Sequence, residues 1–172
     1  MNSKVQLIPL GEEHLEMVRN WRNADEIRNQ MEYTSLISAE QQLNWFHSLN
    51  PKTDNYFIIQ FKQKNIGLTQ INQIDELNKY SNCGLFIAQK EFTGIGISLA
   101  ASLQLLDLAF NNLQLKFLTA KVKTTNSIAI TYNQQLGFKF DQALNSEFNK
   151  YILTAETYLT LRAQLQELSF YI

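Results

Sequence analysis

The chain reads as an α/β sandwich built around a mostly antiparallel sheet, and three features of the sequence lead there. The first is the succession of hydrophobic periods: two helices, three strands, a helix, a strand, a helix and further strands. The second is a strand–helix–strand unit over residues 83–88, 94–111 and 115–123, whose crossover makes the two strands parallel. The third is the pair Gly94 and Gly96 at the head of the middle helix, in a chain with only 6 glycines.

Taken in order, "KVQLIPL" alternates as a short strand, and "GEEHLEMVRNWRN" carries Leu15, Val18 and Trp21 at helical spacing. "SAEQQLNWFHSL" is a second short helix, with Ser38 as N-cap and Gln41 at the capping-box position. "NYFIIQFKQKNIGLTQINQID" predicts a hairpin turning around Gln63 to Asn65, and "YSNCGLFIA" predicts the next strand. The helix at 94–111 should bury Leu99, Leu103, Leu106 and Phe110 on one face. "LKFLTAKVKT" is β-rich, "NSIAITYNQQL" is a helix from Asn126, and Gly137 is suited to end it. "FKF" and "FNKYILTAE" supply the last strands, before the helix "ETYLTLRAQLQEL".

At 172 residues, with 45% hydrophobic and 12% aromatic content, residues 1–172 are expected to form one globular domain. A formal charge of −1, without a dense basic block, argues against a nucleic-acid partner. No apolar run is long enough for a bilayer and no leader pattern is present, so no membrane partner and a cytoplasmic location are expected. His14 and His47 lie far apart without a second ligand at a recognisable spacing, and the lone Cys83 precedes the apolar run "GLFIA"; no metal is expected. There is no GxSxG elbow and no Gly-Lys-Ser/Thr after the glycine pair, and Leu99 holds the place of a third dinucleotide glycine. By itself the pair fits either a tight turn or an anion resting on bare helix N–H groups.

The stretch "EFTGIGISLAASLQLLDLAF…LKFLTAKVKTTNSIAITYNQQLGFK" resembles the core of the GCN5-related N-acetyltransferases (GNAT). The likeness covers the glycine turn and its helix, the next strand, and Asn126, Ala129 and Gly137-Phe138 at the family's usual distances. It implies a six- to seven-stranded sheet flanked by helices, with the βαβ crossover at an acetyl-CoA site. The pyrophosphate would then rest on the N–H groups of Phe92, Thr93, Gly94, Ile95, Gly96, Ile97 and Ser98. The pantetheine would lie along Leu85, Phe86 and Ile87 like an added strand, and Asn126 would touch it. Backbone N–H on the same strand would steady negative charge on the thioester carbonyl.

The amino-terminal part, "VRNWRNADEIRNQM" with "ISAEQQLNWF", is similar to the branch acetylating nucleotide-linked amino sugars of the pseudaminic acid type. It resembles, more loosely, the branch that modifies amino termini of ribosomal proteins. Arg22, Asn23, Arg28 and Trp45 occupy the marked positions, suiting guanidinium to phosphate and ring to base, or equally solvated arginines and core aromatics. The implied partner is therefore a nucleotide sugar, with room for a homodimer. The alternatives are a protein amino terminus or small amine as acceptor, and a non-catalytic acyl-CoA-binding module. The chain departs from the family at Glu91, where Gln or Arg is usual, and at Gln42 and Asn82, where the branch often has His and Glu. The usual general-acid tyrosine falls on Asn133, with Tyr132 one residue early, and one residue is about 100° of helix. Asn133 is expected to line the cofactor thiol, and Tyr132 to pack inward.

Overall fold

The structure is a computed structural model that describes residues 5–93 and 96–169. Its strands are β1 (Val5–Pro9), β2 (Asn55–Phe61), β3 (Lys64–Asp75), β4 (Tyr80–Ile87), β5 (Phe117–Lys123), β6 (Lys139–Ala143) and β7 (Phe148–Thr154). They form a seven-stranded sheet in the order β1-β2-β3-β4-β5-β7-β6. The helices are α1 (Leu15–Asn23), α2 (Asp25–Arg28), α3 (Ala39–Ser48), α4 (Ile97–Asp107), α5 (Ser127–Gln135) and α6 (Ala155–Ser169). This is the predicted mixed, mostly antiparallel architecture. The chain divides into two compact units: Met1–Ile74 with Cys83–Leu105, and Asp75–Asn82 with Leu106–Ile172.

In the first unit, β2 and β3 form the predicted hairpin, with Ile58 opposite Leu68 and Ile59 opposite Gly67. Its turn is tighter than expected, at Lys62 and Gln63, both left-handed with φ of 48° and 64°. Such a two-residue turn matches the right-handed twist of its strands, so it is adopted here without glycine. Because β side chains alternate, the sheet's two faces carry separate cores. Ile58 and Leu68 pack with Val18 of α1, while Ile59 and Ile66 pack with Val5, Ile97 and Ala101. α3 opens on the anticipated capping box: the Gln41 N–H donates to Ser38 Oγ at 3.1 Å and the Ser38 N–H to Gln41 Oε1 at 2.8 Å. The short helix α2 was not legible; an Asp25–Arg28 pair one turn apart closes it.

The α4 stripe needs a correction. Leu106 is buried as expected, but Leu99 is 37% exposed, and Ile97, Ala101, Ser102 and Leu105 are buried beside Leu106. The helix begins at Ile97, and that residue's fit against Val5, Ile59 and Ile66 sets the inward face, turning Leu99 away. After Asp107 the helix widens into a π turn, Leu108–Asn112, whose extra residue brings Ala109 and Phe110 inward, both buried.

In the second unit, β4 pairs in parallel with β5 from Tyr80↔Phe117 to Asn82↔Thr119, as the βαβ reading requires. β5 runs antiparallel to β7, and β7 to β6. α5 starts at the predicted cap, with the Ala129 N–H donating to Asn126 Oδ1 at 3.0 Å. Gly137 follows the helix at φ 90°, a conformation natural to glycine. Tyr158, fully buried, donates its hydroxyl to Asp107 Oδ1 at 2.7 Å, and Arg162 Nη2 reaches Asp107 Oδ2 at 3.1 Å.

Candidate active site

The strand segment Gly84–Ile87 is held by backbone contacts. A Cβ on Gly67 would lie 2.2 Å from the Phe86 carbonyl oxygen, so only glycine permits that approach. Thr69 Oγ1 donates to the Gly84 carbonyl at 2.9 Å. Leu85 and Ile87 pack beside Ile97 and Ala101, together with Phe92. Phe86 points to the other face, where Trp21 meets its ring edge-on at 6.4 Å. All three strand candidates thus use their side chains in packing, and a ligand lying along this segment would meet backbone.

Beyond β4 the Ala88 N–H donates to the Ile66 carbonyl at 2.7 Å, and Lys90–Phe92 form a 3-10 turn. Thr93 Oγ1 donates to the Lys90 carbonyl at 2.7 Å. Gly94 and Ile95 lie outside the described residues. Gly96 adopts φ 76°, is exposed, and has nothing within 4 Å of where a Cβ would stand. The Ala100 N–H donates to the Gly96 carbonyl at 3.0 Å, and the N–H groups of Ile97, Ser98 and Leu99 stand in the first turn of the helix. Glu91 is exposed.

The amino-terminal candidates divide by what they touch. The Asn23 side chain is a clamp: Nδ2 donates to the Ile37 carbonyl at 2.9 Å and Oδ1 accepts from the Ile37 N–H at 2.8 Å. Arg28 pairs with Asp25 through Nη2, while its Nε is buried without a partner. The Arg22 Nε is likewise buried and unpartnered. Desolvation pulls the Arg22 pKa below its ordinary value, and the neighbouring Tyr56 opposes this. Burial raises the Tyr56 hydroxyl pKa and Asp54 raises it further, against an Asn72 hydrogen bond of 3.2 Å and Arg22. Trp45 stands edge-on to Tyr56, centroids 5.0 Å apart. Arg22, Trp45 and Tyr56 therefore come together. Sequence reasoning missed Tyr56 and Asn72, although the alternation through Ile58 places Tyr56 on the α1 face.

In the second unit, Asn126 caps α5, and Asn133 Nδ2 donates back to the Ala129 carbonyl at 2.8 Å. Tyr132 and Asn133 are both half-buried. Thr119 Oγ1 donates to Asn82 Oδ1 at 2.5 Å. In the first unit, desolvation pushes the Cys83 thiol up to about 12, which holds it protonated. His14 Nδ1 accepts from the Gly11 N–H at 3.0 Å, and His47 lies 3.7 Å from Glu12. Among the described residues no three His, Cys, Asp or Glu side chains gather as a metal site, and no helix is long and apolar enough to cross a membrane.

Residues 4–139 match the family model of the acetyltransferase (GNAT) domain. No curated protein matches the chain in sequence. Among solved structures, a spermidine N-acetyltransferase from Vibrio cholerae, in complex with CoA and spermine, superposes with a TM-score of 0.80 at 20% identity, over 92% of this chain and 99% of that one. A dodecameric form of that enzyme in an intermediate state gives 0.73 at 18% identity, over 92% and 98%. A domain from Methanocaldococcus jannaschii gives 0.77 at 20% identity, over 89% and 99%.

Proposed function

Since the chain belongs to the GNAT acetyltransferase family, with acetyl-CoA as its acyl donor, we propose that it acetylates a primary amine on a small, negatively charged acceptor, a nucleotide-linked amino sugar. Acetyl-CoA supplies an activated thioester; the protein must bind it, orient the amine and manage two protons.

The backbone at the α4 terminus suits a diphosphate. Gly96 leaves open space, and the N–H groups of Ile97, Ser98 and Leu99 lie in the first turn of α4, at the positive end of the dipole. Phe92, Thr93, Ile97 and Ser98 would flank the anion together with Gly94 and Ile95. The backbone of Leu85, Phe86 and Ile87 would take the extended pantetheine arm and steady charge on its carbonyl oxygen. Asn126 is proposed as a further contact to that arm. Cys83 is ill-suited to act as a nucleophile because its thiol stays protonated, so direct attack by the amine is the economical route.

The acceptor class rests on Arg22. An unpartnered buried donor costs about 1–3 kcal/mol, and a phosphate oxygen would satisfy this one with a charge-assisted bond. Trp45 and Tyr56 offer rings beside it for a base. Arg28 carries a second buried Nε, while Asn23 would act by holding the segment at Ile37. A second reading, a polyamine acceptor, draws on the fold neighbour solved with spermine. Repulsion between a polycation and an unneutralised arginine counts against it.

A thiol-release assay with acetyl-CoA decides between the two. Nucleotide amino sugars should outpace spermidine and free amino-terminal peptides; fastest turnover of spermidine would overturn the acceptor reading, and none with any amine would favour a binding module. In the same assay Tyr132→Phe should leave the rate nearly unchanged if Asn133 lines the thiol. A fall of about 100-fold would make the Tyr132 hydroxyl the acid.

A further inference from the structure

We propose that Lys62 and Lys64, at the tip of the β2–β3 hairpin, bind a phosphate at the nucleotide end of coenzyme A and supply a positive charge that the glycine turn lacks. This rests on the acetyl-CoA reading above. Residues 92–98, "FTGIGIS", contain no basic side chain, and α4 contains none along its whole length. Glu91 adds a negative charge beside them. Lys90, the nearest cation in sequence, is paired with Glu26 at 2.5 Å. Neutral N–H groups alone would then face a ligand with several phosphate charges.

The hairpin tip is the complementary feature. Among the described residues, neither Lys62 nor Lys64 has a carboxylate within ion-pair distance. Lys64 Nζ lies 5.9 Å from the centre of the Phe92 ring, and Lys62 Nζ lies 5.3 Å from that of Phe61. The two rings meet edge to face at 6.0 Å. Phe92 opens the segment assigned to the diphosphate, so one side chain separates the lysine ammonium from that segment.

Tip and turn are also tied together. The Ala88 N–H donates to the Ile66 carbonyl at 2.7 Å, and Gln89 Nε2 donates to the Asn65 carbonyl at 3.1 Å. Phe61 and Phe92 both pack against the buried cluster that contains Ile97. The left-handed turn at Lys62 and Gln63 fixes the direction in which both lysines leave the strands. Their stems lie on aromatic surface while the ammonium groups remain in water, which lowers the entropy lost when an anion binds.

Calorimetric titration with coenzyme A and with 3′-dephospho-coenzyme A tests the assignment. Lys62→Met with Lys64→Met keeps the stems and removes the charges. The double variant should keep the wild-type melting curve, bind coenzyme A about 10-fold or more weakly, and show a shallower salt dependence. Lys62→Arg with Lys64→Arg should restore much of the affinity. If the contact is the 3′-phosphate, the dephospho ligand binds wild type and the Met variant alike; if it is the diphosphate, both ligands weaken together. Unchanged coenzyme A affinity and salt slope in a folded double Met variant would overturn the proposal, as would an equal loss in Lys52→Met. Wild type that binds no coenzyme A would overturn the acetyl-CoA reading itself.

Discussion

Arg22 is a cation whose Nε donor is out of water and without an acceptor, and such an arrangement destabilises the folded chain. Arg22→Met keeps the stem and removes the desolvated charge. Its melting temperature should therefore hold or rise, while the acceptor KM increases about 10-fold or more and coenzyme A affinity stays constant. A lower melting temperature with an unchanged KM would make Arg22 a packing residue. Asn23 shows the opposite case, because both ends of its amide are already engaged by Ile37. Sequence likeness marked both residues but could not tell them apart. Polar side chains acquire their roles from burial and from partners 14 residues away, neither of which a local pattern carries.

Among the elements, three glycines carry different weights. Gly67 lies against the Phe86 carbonyl, where a Cβ would sit at 2.2 Å, so Gly67→Ala must push strands apart. Gly137, at φ 90°, would bring a Cβ to 3.0 Å from Thr157 Cγ2. Gly96 meets nothing, so Gly96→Ala pays only for its left-handed backbone, about 1–2 kcal/mol. Thermal melts should rank the Ala variants Gly96, Gly137, Gly67 in increasing damage. Only the Gly96 variant should combine a modest loss of stability with a large loss of coenzyme A affinity; intact affinity would remove Gly96 from the cofactor cradle. The elements themselves were largely legible, because Ser38, Asn126 and Gly137 are local signals with local causes. The α4 stripe was legible in part: Leu106 and Phe110 are buried as the helical period requires, but the packing of Ile97 against Val5 and Ile59 turns Leu99 outward.

Across the whole molecule, each unit holds an acid in its neutral form. Desolvation raises Cys83 from an ordinary 9.0 to about 12 in the first unit. In the second, desolvation first and then Asp107 raise Tyr158 well above its ordinary 10.0. Both groups ionise more easily unfolded than folded, so their contribution is fully present below about pH 9 and fades above it. The melting temperature should fall steadily from about pH 9 upward, and Cys83→Ala with Tyr158→Phe should flatten that slope; a wild-type curve level to about pH 11 would contradict it. The division of the chain has a different kind of consequence. The path leaves the first unit at Asp75, returns at Cys83 and leaves again at Leu106, so neither unit is one continuous stretch. A cut beyond Leu105 strands Tyr80–Asn82 on the fragment that lacks β5, their ladder partner. No single truncation yields either half free of residues from the other, and a ribosome making this chain must release residues of both units before either is whole.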